Sequence, residues 1–155
     1  MKEILLIGVL AFSSFSVFAN QVPDYQEKIK EYETLKPLAQ EVLEQSVKLA
    51  EGIYQGYQSH RYGDGKIWRE QRAELNALKK KRNQLGVIVF KHHFGQCSKL
   101  INAVDGLWRS AMGSDNTISL SFFDTYVEAE KSCQYVIDNP PEDNSNLRAV
   151  DLSVD

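Results

Sequence analysis

The stretch GVIVFKHHFGQCSKLINAVDGLWRSAM, residues 86–112, decides the fold when set beside SLSFFDTYVEAEKSCQYVI, residues 119–137. In the first, Val89, Cys97, Leu100, Val104, Leu107 and Ala111 recur at intervals that place them on one face of a helix. In the second, Phe122, Tyr126, Ala129, Cys133 and Val136 repeat that spacing, and Ser121 with Asp124 reads as a capping pair at its start. Cys97 and Cys133 are the chain's only cysteines, and each lies on an apolar stripe, so the spacing predicts a disulfide joining two core faces. Closing a loop of this length contributes roughly 3–4 kcal/mol in the chain-entropy model.

Working outward toward the N-terminus, Tyr25, Ile29, Tyr32, Leu35, Val42, Leu49, Ile53 and Tyr57 predict one long helix over residues 24–57, bent at Pro37. A turn is expected over 58–65, where Gly63 and Gly65 flank Asp64. Trp68, Leu75, Leu78 and Leu85 then open another amphipathic helix. Residues 87–90 form the one β-branched run, read as buried helix because helical patterns continue on both sides. The expected architecture is all-α, a small bundle of about four antiparallel helices braced by Cys97–Cys133. The Asn-Pro-Pro-Glu-Asp-Asn-Ser-Asn run from Asn139 ends regular structure, giving an expected bundle domain over 20–138 and a flexible acidic tail over 139–155.

At the far N-terminus, Lys2 precedes an apolar run from Ile4 to Phe12, and Val17-Phe18-Ala19 offers small residues for cleavage. Residues 1–19 are therefore read as a cleaved secretory signal rather than a retained anchor. The apolar core is well short of the roughly 20 residues a bilayer span needs. The expected location is periplasmic, with no membrane insertion once the signal is removed.

Charge is unevenly spread along a chain of net charge −3. Lys and Arg number 4 against 7 Asp and Glu over residues 20–57, 9 against 3 over 60–93, and 4 against 10 over 94–155. Arg69, Arg72, Lys79 and Lys80 are expected on the solvent side of the middle helix, either paired with the acidic helices beside it or facing a partner. The overall negative charge and the lack of a comb of stacking aromatics argue against nucleic acid.

Chemistry-bearing patterns are sparse. His93 stands four residues before Cys97, a helical metal-ligand spacing that a disulfide would remove, so no metal is expected. Met112 with a histidine is a thinkable haem ligand pair, but the chain lacks the small residues that would clear room for a porphyrin, and no cofactor is expected. Gly-x-Ser-x-Gly, His-Glu-x-x-His and Cys-x-x-Cys are absent, and Glu41, Glu44 and Glu51 share helix faces as in any solvated helix. The chain reads as non-enzymatic.

What stands out instead is the run from Tyr54 to Trp68, which crowds Tyr57, His60, Arg61, Tyr62 and Asp64 around a glycine-bearing turn. Tyr, Trp and Arg dominate interface hot spots, so Tyr57, His60, Arg61, Tyr62, Asp64 and Trp68 are the candidate partner-binding residues. The expected function is an inhibitor or immunity protein that blocks a toxin or a cell-wall-degrading hydrolase. The alternative is a periplasmic chaperone or stress adaptor, for which Met-rich, loose faces would be the signature. Whether the chain is a monomer or a homodimer is left open. In general layout, as a small helical chain bearing a signal, the protein is similar to periplasmic immunity proteins directed against cell-wall amidases, a likeness of class that the short Tyr54-Gln-Gly-Tyr57 stretch does not carry. That resemblance implies helical architecture and a protein partner and carries over no individual residue.

Overall fold

Tyr32, Ala39, Val42, Ser46, Leu49, Ile53 and Gly56 are buried along one face of the chain's first helix, α1, which spans Tyr25–Tyr62. After Ala39 the steps are three or four residues, so one seam stays aligned over many turns. Pro37 lies inside α1 on an exposed face, where water can satisfy the carbonyl that loses its amide donor. The computed structural model describes residues 25–86, 92–113 and 120–143. Beyond α1 these form α2 (Lys66–Arg82), α3 (Gly95–Met112) and α4 (Leu120–Asp138). The all-α bundle of four helices expected from periodicity is the one observed.

Direction follows from contacts at the two ends. The Tyr32 hydroxyl, near the start of α1, donates to the Ile137 carbonyl at the end of α4, 2.5 Å away. At the opposite pole Arg61, in the last turn of α1, donates to the Gly113 carbonyl just past α3. The helices therefore run up, down, up, down. α1 and α3 pack directly on each other, while α2 and α4 lie on opposite flanks of that pair with no contact between them among the described residues.

Being central, α3 is buried on most of its circumference. Leu100, Ile101, Val104, Leu107 and Trp108 point into the core with Leu49, Ile53, Leu75, Leu78 and Ile137. Each such side chain contributes roughly 1.5–3 kcal/mol by leaving water. Cys97 and Cys133, both fully buried, form the expected disulfide between α3 and α4.

Several expectations change in detail. Helix α1 continues through residues 58–62, so the predicted eight-residue turn shrinks to Gly63, Asp64 and Gly65. Nothing in Gln-Ser-His-Arg-Tyr breaks a helix, and the glycines alone end it. The predicted helix over 86–112 begins at Gly95 instead. Gly86, past the end of α2, takes a φ of 89°, and a Cβ there would run into the His92 side chain, so this position requires glycine. Residues 87–90 lie outside the described residues, as do the signal over 1–19 and the tail from 144 to 155. Ser121 is not a cap, because it lies within α4, where its carbonyl accepts from the Thr125 hydroxyl. Phe122 is 44% exposed rather than core, lying against Gly106 of α3 while Tyr126, Cys133 and Ile137 carry the buried face.

Candidate functional site

The turn that joins α1 to α2 is held tightly. Gly63 and Gly65 both donate their amides to the Ser59 carbonyl, and Gly65 adopts a φ of 71°. The first turn of a helix has amides without internal acceptors. Here the Asp64 carboxylate accepts from Lys66 N at 2.8 Å, and the Ser59 hydroxyl accepts from Ile67 N at 3.2 Å. Arg69 Nη1 donates to the Asp64 carbonyl at 3.1 Å. Asp64 is thus a turn-former whose carboxylate starts α2, and the connection is short and pre-ordered.

Two aromatic groups flank this turn. On one side Tyr57 packs between Tyr54 and Tyr62, each with ring centroids 6.4 Å away, and the Arg61 guanidinium lies 6.0 Å from the Tyr57 ring. Burial first, and then the hydrogen bond to Tyr62, pushes the Tyr57 phenol above its ordinary pKa. Tyr57 is half-buried, while Tyr54 and Tyr62 are 65% and 75% exposed. On the other side His60 stacks on Trp68 at 5.0 Å, Trp68 stacks on Trp108 at 6.1 Å, and the Arg72 guanidinium sits 5.5 Å from the Trp68 ring.

Behind both groups lies Gln71. Its side-chain amide donates to the Gly52 carbonyl of α1, and its oxygen accepts from Trp108 Nε1 at 3.3 Å. Gly56 gives it room, since a Cβ there would come within 1.8 Å of Gln71 Oε1. A buried amide thus ties three helices at the level of the tryptophans.

All six candidate residues from the sequence stand at this one pole: Tyr57, His60, Arg61, Tyr62, Asp64 and Trp68. The basic set divides. Arg69 and Arg72 belong to the same pole, through the turn and Trp68, whereas Lys79 and Lys80 lie toward the far end of α2. Lys79 is turned inward to Asp105 at 2.7 Å, and its neighbour Lys81 pairs with Glu41 at 2.7 Å and bonds Gln45. The hydrogen bond from Lys81 holds the Glu41 carboxyl below the usual carboxylate range. These lysines fasten α2 to α3 and α1, while Lys80 remains exposed.

Sequence reasoning missed Gln71, Trp108 and the exposed start of α4, Leu120 with Phe122 and Phe123. Gly52 and Gly56, four residues apart on α1, were the available signal for a side chain entering from α2. Adjacent Phe122 and Phe123 could not both face one core.

His93, the residue placed at metal-ligand spacing from Cys97, bonds the Val136 carbonyl at 2.7 Å and meets the Tyr32 ring edge-on at 5.1 Å. Among the described residues no group of three or more His, Cys, Asp or Glu side chains is placed to hold a metal ion. No described helix is long and apolar enough to cross a membrane. Compared with protein-family models, curated proteins and solved structures, the chain matches none.

Proposed function

We propose that this protein is a non-catalytic binding module of the periplasm, taking one protein partner at the pole where α1 meets α2. On this reading it is an inhibitor or immunity protein, and the partner is a toxin or a cell-wall-degrading enzyme. The observation that carries the reading is Tyr54 and Tyr62, exposed on the last turns of α1 while Tyr57 between them is half-buried and Arg61 is held by the Gly113 carbonyl. Aromatic anchors on a rigid helix end lose little conformational entropy when covered, which is how a few residues come to dominate an interface. The pre-ordered turn supports one partner over many, since surfaces that serve many clients re-pack freely.

The test is capture from cells carrying the neighbouring genes, then titration of the purified partner. A single toxin or hydrolase, bound at a fixed ratio and losing activity, is the expected result. Tyr54→Ala with Tyr62→Ala should weaken its Kd by about a thousandfold, about thirtyfold for each at about 2 kcal/mol per hot-spot side chain, without lowering the melting temperature. Unchanged affinity in the double variant would move the contact elsewhere, and suppression of aggregation across unrelated proteins would replace the inhibitor with a chaperone.

A further inference from the structure

Exposed large apolar side chains are not scattered over this bundle. Tyr62, Ile67, Leu120, Phe122 and Phe123 are 75, 40, 79, 44 and 49% exposed, and all lie within two turns of the pole where α1 ends and α2 and α4 begin. Tyr54 is about a turn further down α1, and among the described residues only Tyr135 of this class lies toward the opposite pole. Single exposed hydrophobics are ordinary, but a cluster of this kind marks a contact surface.

The pole carries charge as well. Within those two turns Arg61, Lys66, Arg69, Arg72 and Arg109, the last of them paired with Asp105 at 3.0 Å, outnumber Asp64, Glu70 and Asp124 among the described residues, in a chain whose net charge is −3. Further down, the exposed Glu51, Glu74 and Glu128 stand on α1, α2 and α4, and Lys79, Lys80, Lys81 and Arg82 close α2 at its far end. Among the described residues the pole is apolar and carries a small excess of cations. Among the described residues, one open groove on the α1–α2 flank is lined by Lys48, Ile67 and Glu74, and one on the α3–α4 flank by Lys99, Phe122 and Ser132.

We infer that this pole docks on an anionic phospholipid surface, with Phe122, Phe123, Leu120 and Ile67 entering the headgroup region and the cations meeting lipid phosphates. Aromatic and aliphatic side chains ringed by Lys and Arg are the interfacial anchor composition, and shallow insertion plus charge supplies the two signals that reversible attachment needs. The gathering of exposed apolar side chains at one end selects a pole-first orientation over one lying on its side. A fluid interface conforms to residues drawn from three helix ends, which a rigid partner matches only with a complementary hollow. The protein rests on the membrane in this account and does not cross it. The inference goes beyond the protein-partner reading, because lipid docking is measured with no other protein present.

The experiment is flotation of the protein, as the expressing cell processes and oxidises it, with vesicles of phosphatidylglycerol and phosphatidylethanolamine or of phosphatidylcholine alone. Comparison is with the Leu120→Ser/Phe123→Ser pair and with Lys66→Glu, all at exposed positions; any affinity of the N-terminal apolar run is common to every sample. Binding to the anionic vesicles should exceed that to phosphatidylcholine, weaken with salt, and fall about tenfold or more in each variant while circular dichroism and melting stay unchanged. Absence of binding, or equal binding by wild type and variants, overturns the proposal. So does a solution dimer that the serine pair dissociates, which would assign the pole to a second copy of this chain. Lack of vesicle binding with a partner still held by Tyr54 and Tyr62 would leave the protein reading standing alone.

Discussion

Gln71 sits on α2, yet its two hydrogen bonds reach Gly52 on α1 and Trp108 on α3, so it sets the spacing of three helices at once. It is 6% exposed, and a buried amide that loses its partners costs about 1–3 kcal/mol. The two glycines beside it differ in what they permit. A Cβ at Gly56 would overlap Gln71 Oε1 at 1.8 Å, forcing the amide out of both bonds, whereas a Cβ at Gly52 approaches only the amide nitrogen, at 3.0 Å. Alanine in place of glycine within a helix gains about 1 kcal/mol of propensity at either site. The gain is outweighed at Gly56 and offsets a shift of a few tenths of an ångström at Gly52. Gly56→Ala should therefore lose about 1–2 kcal/mol and alter the fluorescence of Trp68 and Trp108, while Gly52→Ala stays within about 0.5 kcal/mol of wild type in urea melts. Equal effects at both positions would show that Gln71 has no positioning role.

Among the elements, α3 and α4 were the most legible, because a cysteine on each apolar stripe specified both the buried face and the partner helix. Residue-by-residue burial was less so. Cys97, Leu100, Val104, Leu107 and Ala111 are all buried as the spacing predicted, but Ile101, Ala103 and Trp108 join them. A stripe pattern describes a helix with one packed face, and α3 has neighbours on three sides. Phe122 fails in the opposite sense. It has the right phase for α4's buried face, but it stands in the first turn, where the bundle ends and little remains to cover it. The bridge itself spans a sequence separation of 36, and a loop of that size contributes about 4 kcal/mol in the chain-entropy model. The Cys97→Ser/Cys133→Ser pair should lose stability of that order in denaturant titrations, and the reduced wild-type protein should match it. A reduced protein as stable as the oxidised one would mean that packing alone fixes α4 on α3.

For the molecule as a whole, the candidate site was legible as composition and not as geometry. Tyr, Trp, Arg and His crowded near two glycines announce a surface, but the division into a tyrosine group and a tryptophan group depends on helix phase beyond Tyr57. The contribution of α4 depends on topology, because Leu120 and Phe123 reach this pole only through the up-down-up-down order. That order also governs how stability is distributed. With α1 and α3 in direct contact and α2 and α4 on opposite flanks, two half-interfaces share one central pair. Leu75 of α2 and Ile137 of α4 are each 2% exposed, so truncation of either to alanine should cost about 2–5 kcal/mol. Because no described residue of α2 touches α4, the two losses should add to within about 0.5 kcal/mol in the double variant. The informative control is a pair across the centre, such as Ile53→Ala with Val104→Ala, where shared neighbours make non-additivity the expected outcome. Strong coupling between Leu75 and Ile137 would mean that the central pair shifts as a unit when either flank is weakened, so that the helices carrying the aromatic pole respond to packing on both sides.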